Sequence, residues 1–190
     1  MSQKWADDWT GGFGLLRRDP ATVERIAALV DRLVQRGAWP DAESVYRVLA
    51  AADRLTRAAM WLVVHMTYAR RVDLSGDALP AEDFKEHPEG HTGGSLNMVP
   101  AFVGYLTANV LSGATRSWVL GQGHCVAAIE AVNVLTGDVS AAERPRYPCS
   151  DAGLSQLVSD FYGYQIGPDG RPAAPLGSHL GPTTDRKSVV

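Results

Sequence analysis

Apolar residues recur at helical spacing through the first part of the chain. Val23, Ile26, Ala27, Val30, Leu33 and Val34 line one face, and Glu24, Arg25, Asp31, Arg32 and Gln35 fall mostly on the other. Asp19 suits an N-cap, Pro20 the first helical position and Gly37 a left-handed end, so the pattern predicts a helix from Pro20 to about Gly37. A second stripe, Val45, Val48, Leu49, Ala52, Leu55 and Ala59, comes after Pro40-Asp41 and predicts a helix to near Arg71. Its stretch from Ala58 to Met66 is apolar nearly all round, which predicts a buried half with His65 as a packed core residue. Residues 1–18 show no periodicity. Gly11-Gly12-Phe13-Gly14 follows no strand and reads as a turn rather than a phosphate loop.

The second half is more broken. Residues 72–94 are irregular and rich in Asp, Glu, Gly and Pro. A helix is predicted over 95–111, with Pro100 in its early turns and Gly113 at its end. Ser117-Trp118-Val119-Leu120 reads as a short buried strand. It feeds the turn Gly121-Gln122-Gly123-His124 and a helix running to about Leu135, stopped by Gly137. A last helix over 151–162 carries Leu154, Leu157, Val158 and Phe161. Beyond Gly163 the chain reads as loop. Strand, glycine turn and helix in succession are an α/β signal, and α/β is the fold class expected, with most of the sheet outside this chain.

Composition narrows the function classes. The chain has 190 residues, 45% hydrophobic and 21% charged, enough for a sizeable core in one domain or part of a larger one. A net charge of -3 and no Lys/Arg cluster argue against a nucleic-acid partner. Cys125 and Cys149 are too few for a disulfide framework, which suggests a reducing, cytoplasmic setting. No Asp, Glu, Lys or Arg lies between Glu89 and Arg116, but Asn97, Pro100, Thr107 and Asn109 interrupt the apolar part. A buried helix is expected there and no membrane association.

Two segments could carry chemistry: Glu89-Gly90-His91-Thr92-Gly93-Gly94-Ser95 and Leu120-Gly121-Gln122-Gly123-His124-Cys125. Each sets a histidine among glycines at the start of a helix. Glycine lets a backbone approach a ligand, helix N-termini present free N–H groups, and imidazole exchanges protons near neutrality. Gly177-Ser178-His179-Leu180-Gly181-Pro182 has similar character in a loop. His87 and His91 have zinc-like spacing, but Pro88 and Gly90 argue against a helix between them and no third ligand is evident; no metal site is expected. A Cys125–His124 nucleophile is set aside because neighbours on a helix do not face each other.

Gly90-His91-Thr92-Gly93, followed by Leu96-Asn97 and an apolar helix, resembles the amino-terminal Gly-His-x-Gly segment of phosphoketolases; transketolases carry a related segment. Trp118-Val119-Leu120-Gly121-Gln122-Gly123-His124 is similar to the strand and Gly-x-Gly-His turn of that group, and the helix end Val134-Leu135-Thr136-Gly137 is similar to the group's next segment. Phe161-Tyr162 with Gly177-Ser178-His179 resembles a later phosphoketolase loop. The resemblance spans about residues 86 to 184. It implies part of a three-layer α/β/α thiamine-diphosphate-binding domain over 72–184, preceded by a helical extension over 1–71. It also implies a transketolase-type enzyme that cleaves ketose phosphates such as xylulose 5-phosphate, homodimeric when complete. His91, His124 and His179 would be catalytic, and Gly90, Gly121, Gly123 and Ser178 would line the cofactor. Thiamine diphosphate and Mg2+ would be the cofactors.

Thr92 stands where phosphoketolases carry Trp, and Cys125 where they carry Gly. The family's Gly-Asp-Gly metal segment does not occur in the sequence. Residues 185–190, Asp-Arg-Lys-Ser-Val-Val, coincide with the translation of a common sequencing adaptor. The expectation is therefore an amino-terminal fragment with an artefactual tail, inactive alone. The alternatives are a xylulose 5-phosphate 3-epimerase branch of the same family, a subunit of a split enzyme, and a non-catalytic interaction protein.

Overall fold

The computed structural model describes residues 3–12, 17–121, 123–163 and 165–174. Six α-helices account for most of them: α1 (Gln3–Gly11), α2 (Pro20–Gln35), α3 (Ala42–Tyr68), α4 (Thr92–Ser112), α5 (Val126–Thr136) and α6 (Asp151–Asp160). Single 3-10 turns occur at Ala81–Asp83 and Gly123–Cys125. Among the described residues there is no sheet. Two isolated bridges, Ala69 with Phe84 and Ile166 with Pro172, are the extent of β pairing.

The α/β/α expectation is therefore overturned. Residues 117–120, expected as a buried strand, form no regular element. Trp118 is 43% and Val119 82% exposed. A four-residue apolar run becomes a strand only when another strand satisfies its N–H and C=O groups. No other described segment pairs with this one.

The helices that begin and end where the sequence says do so through their caps. The Asp19 carboxylate accepts from Thr22 N–H at 2.9 Å, with Pro20 opening α2. Ser150 accepts from Gly153 N–H at the start of α6. Gly137 ends α5 in the left-handed conformation. α4 starts earlier than the predicted residue 95, at Thr92, and carries Pro100 in its interior. α1 has no counterpart among the expected elements: Trp5, Ala6 and Trp9 make a stripe too short to stand out as periodic.

Contacts divide the chain into two compact units. The first comprises Met1–Arg57 and Val103–Ser117, the second Ala58–Phe102 and Trp118–Val190. In the first, Trp9, Val30, Val45, Tyr46, Leu49 and Leu111 form a core, and Trp39 donates from its indole N–H to Leu111 O at 2.9 Å. Arg18 lies over the Trp9 ring, 3.9 Å from its centroid, and pairs with Asp53.

In the second unit Leu62, Val63, Met66, Val99, Val132, Leu154, Leu157 and Phe161 are buried. The α3 half expected to be covered all round is not: Trp61, Val64 and Tyr68 are exposed. His65 follows that outer face, its ring against Trp61 and its Nδ1 2.9 Å from Trp61 O. The loop after α3 is tied down by polar contacts. Val72 N–H donates to Ser155 Oγ at 3.1 Å and Leu74 N–H to Asp151 at 2.7 Å. Lys85 Nζ donates to Met66 O at 2.7 Å and Phe161 O at 2.9 Å. No helix among the described residues is long and apolar enough to cross a membrane.

Candidate functional site

The two glycine–histidine segments meet in the second unit. His91 immediately precedes α4, and His124 sits in the 3-10 turn before α5. Their rings lie 4.5 Å apart, centroid to centroid, inclined by 49°. His91 is exposed and His124 half-buried, so the pair opens to solvent on one side.

Local chain chemistry makes this approach possible. Gly94, in the first turn of α4, leaves room for the turn that carries His124. A Cβ at Gly94 would stand 2.9 Å from Cys125 Sγ and 3.5 Å from two atoms of the His124 ring. Gly90 has φ of 123°, a conformation open to glycine and strained for other residues. A Cβ there would stand 2.4 Å from Tyr162 Cε2 and 2.9 Å from its hydroxyl. Tyr162 is hydrogen-bonded to the His91 backbone, and burial pushes its phenol up to about 12. Beside His91, Thr92 Oγ1 donates to Thr67 Oγ1 at 3.2 Å and reaches Tyr68 Oη at 3.5 Å.

Of the residues singled out from sequence, His91, His124 and Gly90 converge here. Gly123 is buried in the turn beside His124. Gly121 is exposed with nothing within 4 Å of a Cβ built on it, so it shapes no cleft among the described residues. Ser178 and His179 lie outside the described residues. Cys125 is fully buried, which removes it as a nucleophile.

Sequence reasoning named Gly94, Thr92 and Tyr162 within its segments but gave none of them a positioning role, and it missed the hydroxyls of Thr67 and Tyr68. Gly94 carried a signal: two adjacent glycines in the opening turn of a helix sacrifice helix propensity, and close packing is one reason to tolerate that. The hydroxyl group joins residues of two helices and had no local signature.

No family model, curated protein or solved structure matches this chain. The site is therefore judged on its own chemistry. Mg2+ with a diphosphate asks for carboxylate and phosphate oxygens in octahedral array. The groups around His91 are imidazoles, a buried thiol, the phenols of Tyr162 and Tyr68, a threonine hydroxyl and one carboxylate, Glu89. Among the described residues no cluster of three or more His, Cys, Asp or Glu is placed to hold a metal. The side chains at this site do not fit a Mg2+–diphosphate group. They fit proton exchange with a polar organic ligand, one imidazole accepting while the other donates.

Two further ionisable groups stand out in the second unit. Burial, reinforced by Glu143, pushes the Glu130 carboxyl on α5 up to about 7. Burial and then Arg70 push Lys85 down to about 8. The first unit holds a cavity of about 230 Å³ lined by Trp5, Asp8, Trp9, Gly12, Asp53 and Arg54 among others; none of the expected catalytic or cofactor-lining residues lines it.

Proposed function

We propose that the chain supplies a histidine proton-transfer pair, His91 and His124, acting on the hydroxyl and carbonyl oxygens of a ketose phosphate such as xylulose 5-phosphate. The observation that carries this reading is the 4.5 Å ring contact between histidines from two separate glycine-rich segments. Both segments resemble pieces of the phosphoketolase and transketolase group. Chemistry resides in the site rather than in the fold, so the helical architecture does not by itself count against it. Carbon–carbon cleavage in that group uses thiamine chemistry, which these side chains do not hold. The proposed share of this chain is to bind the sugar and move its protons.

Rings in mutual contact leave no room for a substrate carbon between them. Both imidazoles therefore address one side of a ligand. Removing a hydroxyl proton next to a carbonyl suits that arrangement. Epimerisation, which delivers a proton to the opposite face of the same carbon, calls for groups on both sides.

The test is a titration of the 15N-histidine-labelled chain with xylulose 5-phosphate, followed by NMR, with inorganic phosphate as control. Saturable shifts of the His91 and His124 imidazole signals, with His65 unmoved, are expected. His91→Asn or His124→Asn should weaken binding by about tenfold, the loss of one hydrogen bond to a polar ligand. Unmoved imidazoles at saturating sugar phosphate would sink the proposal.

A further inference from the structure

Among the described residues, Tyr162 is alone among non-glycines in having a positive φ, 58°. The left-handed region costs a residue with a Cβ roughly 1–2 kcal/mol, so its surroundings must hold it there. Those surroundings are well defined. The carbonyl of Phe161 is fixed by Lys85 Nζ at 2.9 Å, which also binds Met66 O. The Phe161 ring meets the Tyr162 ring edge-on at 4.5 Å, 81° between planes. Held this way, the Tyr162 ring fills the space above Gly90 that any Cβ would occupy, and its hydroxyl meets the His91 backbone.

We infer that Tyr162 is a positioning residue: it braces the Gly90-His91 backbone from above and so sets where the His91 imidazole lies against that of His124. This rests on the reading of the two histidines as the working pair. Backbone strain just beyond the C-terminal end of α6 is retained because the ring and hydroxyl it places fix Gly90-His91, where the chain enters α4 and the His91 carbonyl accepts from Ser95 N–H at 3.0 Å. Gly90 supplies the matching void. The Lys85 ammonium holds the strained turn by its carbonyl. His91 itself is exposed and would otherwise be fixed chiefly by its chain neighbours.

The test compares Tyr162→Phe, which keeps the ring and loses the hydroxyl, with Tyr162→Gly, which loses both and relieves φ. The readouts are hydrogen exchange at the His91 amide, the His91–His124 ring contact seen by NMR, and the melting temperature. In Tyr162→Phe, His91 amide exchange should quicken by about fivefold while the melting temperature falls by only about 2–4 °C, the size expected for one lost hydrogen bond. In Tyr162→Gly the ring contact itself should be lost. Wild-type exchange and ring contact in both variants would overturn the inference, as would a lowered melting temperature with no change local to His91. The titration with xylulose 5-phosphate separates the two ideas. Loss of His91 order in the variants without any sugar response in the wild type refutes the function and keeps the brace. A normal sugar response with unchanged His91 order in both variants refutes the brace and keeps the function.

Discussion

A methyl group on Gly90 would land 2.4 Å from the Tyr162 ring, on a backbone whose φ of 123° already excludes most side chains. Gly90→Ala should therefore cost about 2–3 kcal/mol in a urea unfolding series, combining backbone strain with overpacking. Gly121→Ala is the internal comparison. It belongs to the same kind of glycine–histidine segment, yet nothing lies within 4 Å of its added carbon. Its cost should stay within about 0.5 kcal/mol. Composition alone treats the two glycines as equals; their surroundings separate them.

At the scale of elements, caps have a measurable effect. Asp19 bonds Thr22 twice, through N–H at 2.9 Å and Oγ1 at 2.7 Å. The hydrogen bonds hold its carboxyl below the ordinary carboxylate range. Asp19→Ala should lower stability at pH 7, read as a lower denaturant midpoint with unchanged slope in chemical denaturation. α2, α3 and α5 are legible in the sequence because their stripes and their Pro, Asp or Gly punctuation are local. α1 is not, for want of length. Residues 117–120 mislead because Val and Trp in a short apolar run say nothing about whether a second strand exists to receive them. The same limit applies to the site. His91 and His124 look alike in the sequence, but their contact depends on Gly94 admitting one turn to another, and Tyr162 on a strained φ that no tyrosine announces.

Across the whole molecule, two half-buried groups should set an unusual pH response. Folded Glu130 keeps its proton up to about 7 against an ordinary 4.5. The folded state binds more protons in that window, so this contribution is complete below 4.5 and is lost as pH climbs through about 7. Lys85 is lowered from 10.5 to about 8. The folded state binds fewer protons between those values, so stability rises with pH there. Together they place a shallow minimum between about pH 7 and 8. Glu130→Gln should remove the acid limb and restore about 2 kcal/mol at about pH 8, seen as a flattened profile of melting temperature against pH. An unchanged slope between pH 4.5 and about 7 would exclude Glu130 as its source.

The exposed, irregular run from 114 to 119 offers one more handle. Arg116 stands in it, and such stretches are where proteases enter a folded chain. A single tryptic nick after Arg116 would divide the covalent chain between His91 and His124. The histidine pair would then belong to two peptides joined by packing alone. Whether those peptides co-elute, and whether they reassemble after separation, would turn a question of geometry into one of complementation.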